Sequence, residues 1–177
     1  MENLDPTALV WEKVSIPDAE NLTGVMFSFD DGLIVGENGF IAETHDGGDS
    51  FNRVTIQSAN TRANLLTIDN NTSQMIGGEG IMLRRSSISG MPAGSYTWSA
   101  HQGSDLPTIR DLACFTDCMA VGSTKSGSSI LKIDIDGNIE EVQASGLKAQ
   151  LNSIAWAPGG YLAVGGNGTF LKRSGEG

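Results

Sequence analysis

Few side chains in this sequence are suited to catalysis or metal binding, and they are scattered. The two histidines are His45 and His101. Zinc requires three or four nitrogen, thiolate or carboxylate ligands converging on one point. Neither histidine has a further nitrogen or a cysteine close by, so both read as solvated loop residues, and no metal is expected. Asp134, Asp136, Asn138 and Glu140 alternate like the early ligands of a calcium loop. The sixth position of that loop should be glycine and the twelfth a carboxylate, whereas here they are Ile139 and Ser145. A hairpin turn with acidic flanks accounts for the run, and the same holds for Asp46 and Asp49. Gly77-Gly-Glu-Gly80 is glycine-rich but joins two apolar strands without a helix to receive a phosphate. No Gly-x-Ser-x-Gly elbow or Walker loop occurs, and no pair of carboxylates is placed as glycoside cleavage requires. Catalytic residues and cofactors are therefore expected to be none. Cys114 and Cys118 flank a three-residue connection. They read as two small buried hydrophobes, with a disulfide across a tight hairpin as the alternative.

Composition sets the frame for these residues. A chain of 177 residues and 18.6 kDa is one domain by length, large enough to bury a core. Its formal charge of −10 excludes a nucleic-acid footprint. No apolar run reaches membrane-span length. The start, Met-Glu-Asn-Leu-Asp-Pro, lacks the basic and apolar stretches of a secretory signal. Cytoplasm is the default location, and a virus- or particle-associated protein would look the same.

The dominant pattern is a repeat. Four segments each contain an apolar strand, a turn, a second strand closing on glycine and a third strand. They begin at Leu22, Asn64, Asp111 and Leu151, and their closing glycines are placed at Gly36, Gly77, Gly122 and Gly165. Outer strands follow at Ser50–Thr55, Ser95–Ser99 and Ile139–Val142. Short strands recurring with a period in the low forties are the pattern of a β-propeller blade. The sequence thus predicts an all-β, four-bladed propeller, a single domain over 1–177 with blades at about 20–56, 62–100, 108–143 and 149–177. A β-sandwich also has short strands, but it does not predict the recurring Val-Gly-x-x-Gly phrase.

The last segment lacks an outer strand, while Val10-Trp-Glu-Lys-Val14 near the other end resembles one. Residues 1–15 are therefore expected to supply the strand closing the last blade. Within one chain this makes a four-bladed ring; between two chains it makes an eight-bladed ring about a two-fold axis.

Thr44-His-Asp46-Gly-Gly48-Asp-Ser50-Phe51 matches the Asp-box pattern [ST]-x-D-x-G-x-[ST]-[WF] of bacterial-neuraminidase-repeat proteins. With Gly36-Glu-Asn-Gly39 upstream, it resembles the repeat of the photosystem II stability and assembly factor propellers. The resemblance spans residues 22–177 at the level of the repeat. It implies that Thr44, Asp46, Gly48, Ser50 and Phe51 are structural, on a turn facing away from the usual ligand side. Neuraminidase activity is not implied, because no arginine or tyrosine here stands in a catalytic motif of that family. What the resemblance does imply is a rigid platform that engages a protein or a small ligand.

Superposing the inner strands on Phe27, Ile68, Phe115 and Trp156 places Thr23, Asn64, Asp111 and Asn152 four residues earlier in each. All are polar, and they suggest a ring at the mouth of the central channel. The loops around it are Pro17–Asn21, Gln57–Arg62, His101–Asp105 and Ala144–Gln150, with Arg62 and Arg110 as anchors for an acidic or planar group. The expected function is a non-enzymatic binding or assembly scaffold with a protein partner, and homodimerisation is compatible with it. The alternatives are a lectin-like propeller using Tyr96, Trp98 or Trp156 and, below that, a glycan-cleaving enzyme.

Overall fold

The computed structural model describes residues 11–56, 62–69, 75–87, 89–90, 96–124, 127–134, 136–142 and 147–173. The protein is a four-bladed β-propeller whose blades are antiparallel sheets in simple sequential order. Blade 1 contains β1 (Leu22–Ser28), β2 (Asp31–Gly36), β3 (Ile41–Thr44) and β4 (Asn52–Arg53). Blade 2 contains β5 (Leu65–Ile68), β6 (Met75–Gly78), β7 (Ile81–Ser87) and β8 (Tyr96–Gln102). Blade 3 contains β9 (Thr108–Cys114), β10 (Cys118–Thr124), β11 (Gly127–Ile133) and β12 (Ile139–Val142). Blade 4 contains β13 (Leu151–Ala157), β14 (Gly160–Gly165) and β15 (Phe170–Lys172), three strands among the described residues.

The sheets are apolar where they face a neighbouring blade, and the core lies in the three layers between blades. Met26, Leu33, Val35 and Ile41 of blade 1 meet Leu65, Ile76 and Leu83 of blade 2. Met75 and Met82 of blade 2 meet Ile109, Leu112, Ala120 and Leu131 of blade 3. Met119 and Val121 of blade 3 meet Leu151, Ile154 and Ala163 of blade 4. Each such side chain, fully buried, contributes about 1.5–3 kcal/mol, so these layers dominate the stability.

The glycine closing each second strand is demanded by backbone crowding. A Cβ on Gly36, Gly78, Gly122 or Gly165 would lie 2.1–2.3 Å from the carbonyl oxygen of Asn21, Asn64, Thr108 or Gln150. In blade 2 this residue is Gly78, pairing with Leu65, rather than the expected Gly77, which pairs with Thr67. Gly77 is crowded instead by Ile109 of the next blade.

Cys114 and Cys118 are register partners across the β9–β10 hairpin and form a disulfide rather than two free buried thiols. The tight connection leaves the two side chains facing each other with little choice of partner.

The expected closing strand is not formed over Trp11–Val14. That segment is irregular, with Trp11 94% exposed, and Val10 lies outside the described residues. Beyond it, Ile16 and Ala19 pack on Ile34, Phe40 and Ala42, which holds the segment against blade 1. Inner strands pack in the order β1–β5–β9–β13, and β13 makes no comparable contact with β1.

Candidate functional site

In an antiparallel four-strand blade, the links between blades and the turns between second and third strands share one end of the ring. The turns between first and second strands, and between third and fourth, share the other. The first end is the candidate binding face.

It is a rim of amides and carboxylates. Asn21 donates from Nδ2 to Glu37 Oε2 at 2.9 Å, and Asn38 donates from Nδ2 to Glu20 Oε2 at 2.6 Å. Asn64 Oδ1 accepts the Asn38 N–H at 3.2 Å, while its Nδ2 donates to Glu79 Oε2 at 3.1 Å. One backbone bond recurs beneath this rim. Glu37, Glu79 and Gly166 donate N–H to the carbonyls of Asn21, Asn64 and Gln150, so each turn is tied to the start of an inner strand. Arg110 is exposed and reaches Gln150, whose side-chain oxygen accepts from Nε at 2.7 Å and Nη2 at 2.6 Å. Arg62 is exposed in the turn before β5.

The four polar residues expected to form a ring are not in equivalent positions. All four inner strands bulge alike near their starts, between Leu22 and Gly24, Leu65 and Thr67, Ile109 and Asp111, and Leu151 and Ser153. Asp111 pairs with Val121, the residue before the closing glycine, and its true counterparts are Gly24, Thr67 and Ser153, the partners of Val35, Gly77 and Val164. Asp111 links three blades. Its Oδ1 accepts from Thr67 Oγ1 at 3.1 Å and from the Leu112 N–H at 3.0 Å. Its Oδ2 accepts from Ser153 Oγ at 2.6 Å and the Ile154 N–H at 2.9 Å. Thr23 ties blade 1 to blade 2 by donating to the carbonyl of Leu65. Asn64 belongs to the rim, and Asn152 is exposed beside it. Ser153 and Thr67 escape a comparison that counts back from the strand ends, because those ends are not level. Phe27 and Trp156 pair with Gly32 and Tyr161, whereas Ile68 pairs with Ile76 and Phe115 lies one residue past the last β9–β10 pair.

The opposite end carries the Asp-box turn. Asp46 Oδ1 accepts from Thr44 Oγ1 at 2.6 Å and from the Ser50 N–H at 2.9 Å, and Ser50 Oγ donates to its other oxygen. Buried Thr44 accepts the Gly48 N–H at 3.1 Å. These donors, the Ser50 hydroxyl first, hold the Asp46 carboxyl far below the usual carboxylate range. Gly47 and Gly48 have φ of 74° and 102°, which glycine adopts without a Cβ penalty. Phe51 packs on Ile34, Phe40 and Ala42. Asp134 repeats the device in blade 3, accepting the N–H groups of Asp136 at 2.9 Å and Asn138 at 2.8 Å. Asp49 is exposed in the Asp-box turn. His45 Nδ1 lies 2.7 Å from Asp31 Oδ1, and that contact raises its pKa. His101 lies near the end of β8 rather than in a loop.

A family model for the photosynthesis system II assembly factor YCF48 matches residues 5–171. The chain belongs to the YCF48 family. Among solved structures, YCF48 from Cyanidioschyzon merolae is 18% identical, with a TM-score of 0.63 over 94% of this chain and 61% of that one. YCF48 bound to D1 peptide is 14% identical, with a TM-score of 0.56 over 89% and 66%. This member therefore spans less than two thirds of the length of either YCF48 chain. A streptogramin B lyase shares the fold at 12% identity and a TM-score of 0.59, over 92% of this chain and 57% of that one. No curated protein matches the sequence. No helix among the described residues is long and apolar enough to cross a membrane.

Proposed function

We propose that this protein is a binding and assembly module that takes a segment of a partner protein on the rim defined by Asn38, Asn64, Arg62 and Arg110. The observation that carries the reading is membership of a family of which one member, YCF48, has been seen bound to a D1 peptide. The rim suits such a ligand. Exposed amides and carboxylates offer donors and acceptors to an extended backbone, and two exposed arginines offer planar forks to a carboxylate. The role asks for no bond-making chemistry, and none is assigned to any residue.

Of the three aromatic residues, Trp98 weighs against the glycan-binding alternative. Trp98 packs on the core between blades 1 and 2, Trp156 stacks on Phe115 at 3.9 Å, and the Arg85 guanidinium lies 3.7 Å over Tyr96. Sugar stacking needs an open aromatic face, which Trp98 lacks, while Trp156 and Tyr96 have one partner each and remain 39% and 37% exposed.

The test is fluorescence anisotropy with a labelled D1 peptide as probe. Saturable binding is expected, weakened about tenfold by Arg110→Ala and less by Arg62→Ala, the range for truncating an arginine anchor. No saturable binding, or binding indifferent to both substitutions, would exclude this rim as the site.

A further inference from the structure

Among the described residues blade 4 has no fourth strand and the irregular Trp11–Val14 segment pairs with no strand, and the two match residue by residue. In blades 1, 2 and 3 the fourth strand sets Phe51, Trp98 and Ile139 beside the third strand, the last two paired with Arg85 and Ile133. All three pack on a core cluster. The corresponding third-strand residue in blade 4 is Arg173, just past β15, and among the described residues nothing lies across from it. A cavity of about 220 Å³ opens there, lined by Met119, Val142, Ile154, Tyr161, Leu171 and Arg173. Its walls are mainly apolar, as expected of a socket for a missing large side chain.

Trp11 precedes the inner-strand residue Leu22 by the same interval that separates Trp98 from its counterpart Ile109. If Trp11 is set against Arg173 as Trp98 is against Arg85, Glu12 falls opposite Lys172 and Val14 opposite Phe170. One register thus reproduces an existing Trp–Arg pair, creates an opposite-charge pair and covers an exposed phenylalanine.

The sheets at the two ends of the row are uncovered in the same complementary way. Val164 and Phe170 of blade 4 occupy the places of Val35 and Ile41 in blade 1. The former pair is 45% and 62% exposed, the latter fully buried against blade 2. At the other end, Leu22 and Val25 are 46% and 66% exposed, where their counterparts Leu151 and Ile154 are buried against blade 3. β13 does not pack on β1 as the other neighbouring inner strands pack on one another, so the row of blades is open between blade 4 and blade 1.

We infer that a second copy of this chain completes the ring: the Trp11–Val14 segment of each copy becomes the fourth strand of the other's blade 4. Eight blades then close about a two-fold axis, within the ordinary range for propellers. Both exposed sheet faces and the strand edge at β15 are covered at once.

Light scattering on the intact protein is expected to give twice 18.6 kDa, and Trp11→Asp to halve that mass while keeping the β-sheet circular dichroism. Glu12→Lys is expected to weaken self-association about fivefold, and Glu12→Lys with Lys172→Glu to restore it, a surface pair that does not threaten folding. Mixing Trp11→Cys with Arg173→Cys and adding a short thiol cross-linker is expected to give a covalent dimer. A monomeric mass overturns the inference, as does a Trp11→Cys and Arg173→Cys mixture that gives no covalent dimer, or a Glu12→Lys protein that associates like the parent. None of these outcomes depends on the D1 peptide, so partner binding and ring closure fail or stand separately.

Discussion

At the scale of single residues, geometry assigns the acidic groups to folding. Asp46 collects donors from Thr44 and Ser50, and Asp134 from Asp136 and Asn138, each closing its own turn. Because the folded carboxyl of Asp46 titrates below its ordinary value of 3.8, its contribution is present above about pH 4 and is lost as pH falls through the folded value. Asp46→Asn should lower the melting temperature at pH 7 and flatten its decline between pH 5 and 2, as read by circular dichroism melts. Gly122 is a second residue-scale case. A Cβ there would stand 2.1 Å from the Thr108 carbonyl oxygen, so Gly122→Ala should cost about 1–3 kcal/mol in urea unfolding. In blade 2, two adjacent glycines compete for this role, and residue types cannot rank them. Only the position of the Asn64 carbonyl selects Gly78.

At the scale of elements, the hairpins were legible because turn residues and apolar runs specify them locally. The strands beginning at Leu22 and Leu151, and the outer strand Ile139–Val142, start where the apolar pattern starts. What residue types do not encode is which strand ends stand level: Ile68 and Phe115 are not the register counterparts of Phe27 and Trp156. The expected polar ring therefore becomes a Thr67–Asp111–Ser153 line with Thr23 and Asn64 placed elsewhere. The hairpin disulfide is the other element-scale finding. Cys114 and Cys118 are four residues apart, and so short a loop removes little entropy from the unfolded chain. Replacing both with alanine should cost only about 2 kcal/mol by urea denaturation. A much larger loss would mean that the bridge shapes the folded β9–β10 hairpin as well.

At the scale of the whole molecule, stability is a sum of blade-to-blade layers, each blade touching only its neighbours, as in other repeat proteins. Blades 2 and 3 have two covered faces. Blade 4 has one, and blade 1 has a second face covered only in part, by Ile16 and Ala19. Hydrogen exchange in the Trp11→Asp protein should therefore be fastest in β1 and β13–β15 and slowest in β6 and β10. Uniform protection across the four blades would contradict a row with two uncovered ends.

By itself, the sequence determined what is local and repeated: four strand-turn-strand units and the Asp-box turn with Asp46 and Phe51. These follow from side-chain alternation and from turn chemistry that acts over a few residues. Only the tertiary structure decided which glycine is crowded, which inner-strand residues stand level with Asp111, and how steeply the blades turn. Those depend on atoms brought together from distant parts of the chain. Register and curvature are summed over all three inter-blade layers, and no single stretch of residues carries that sum.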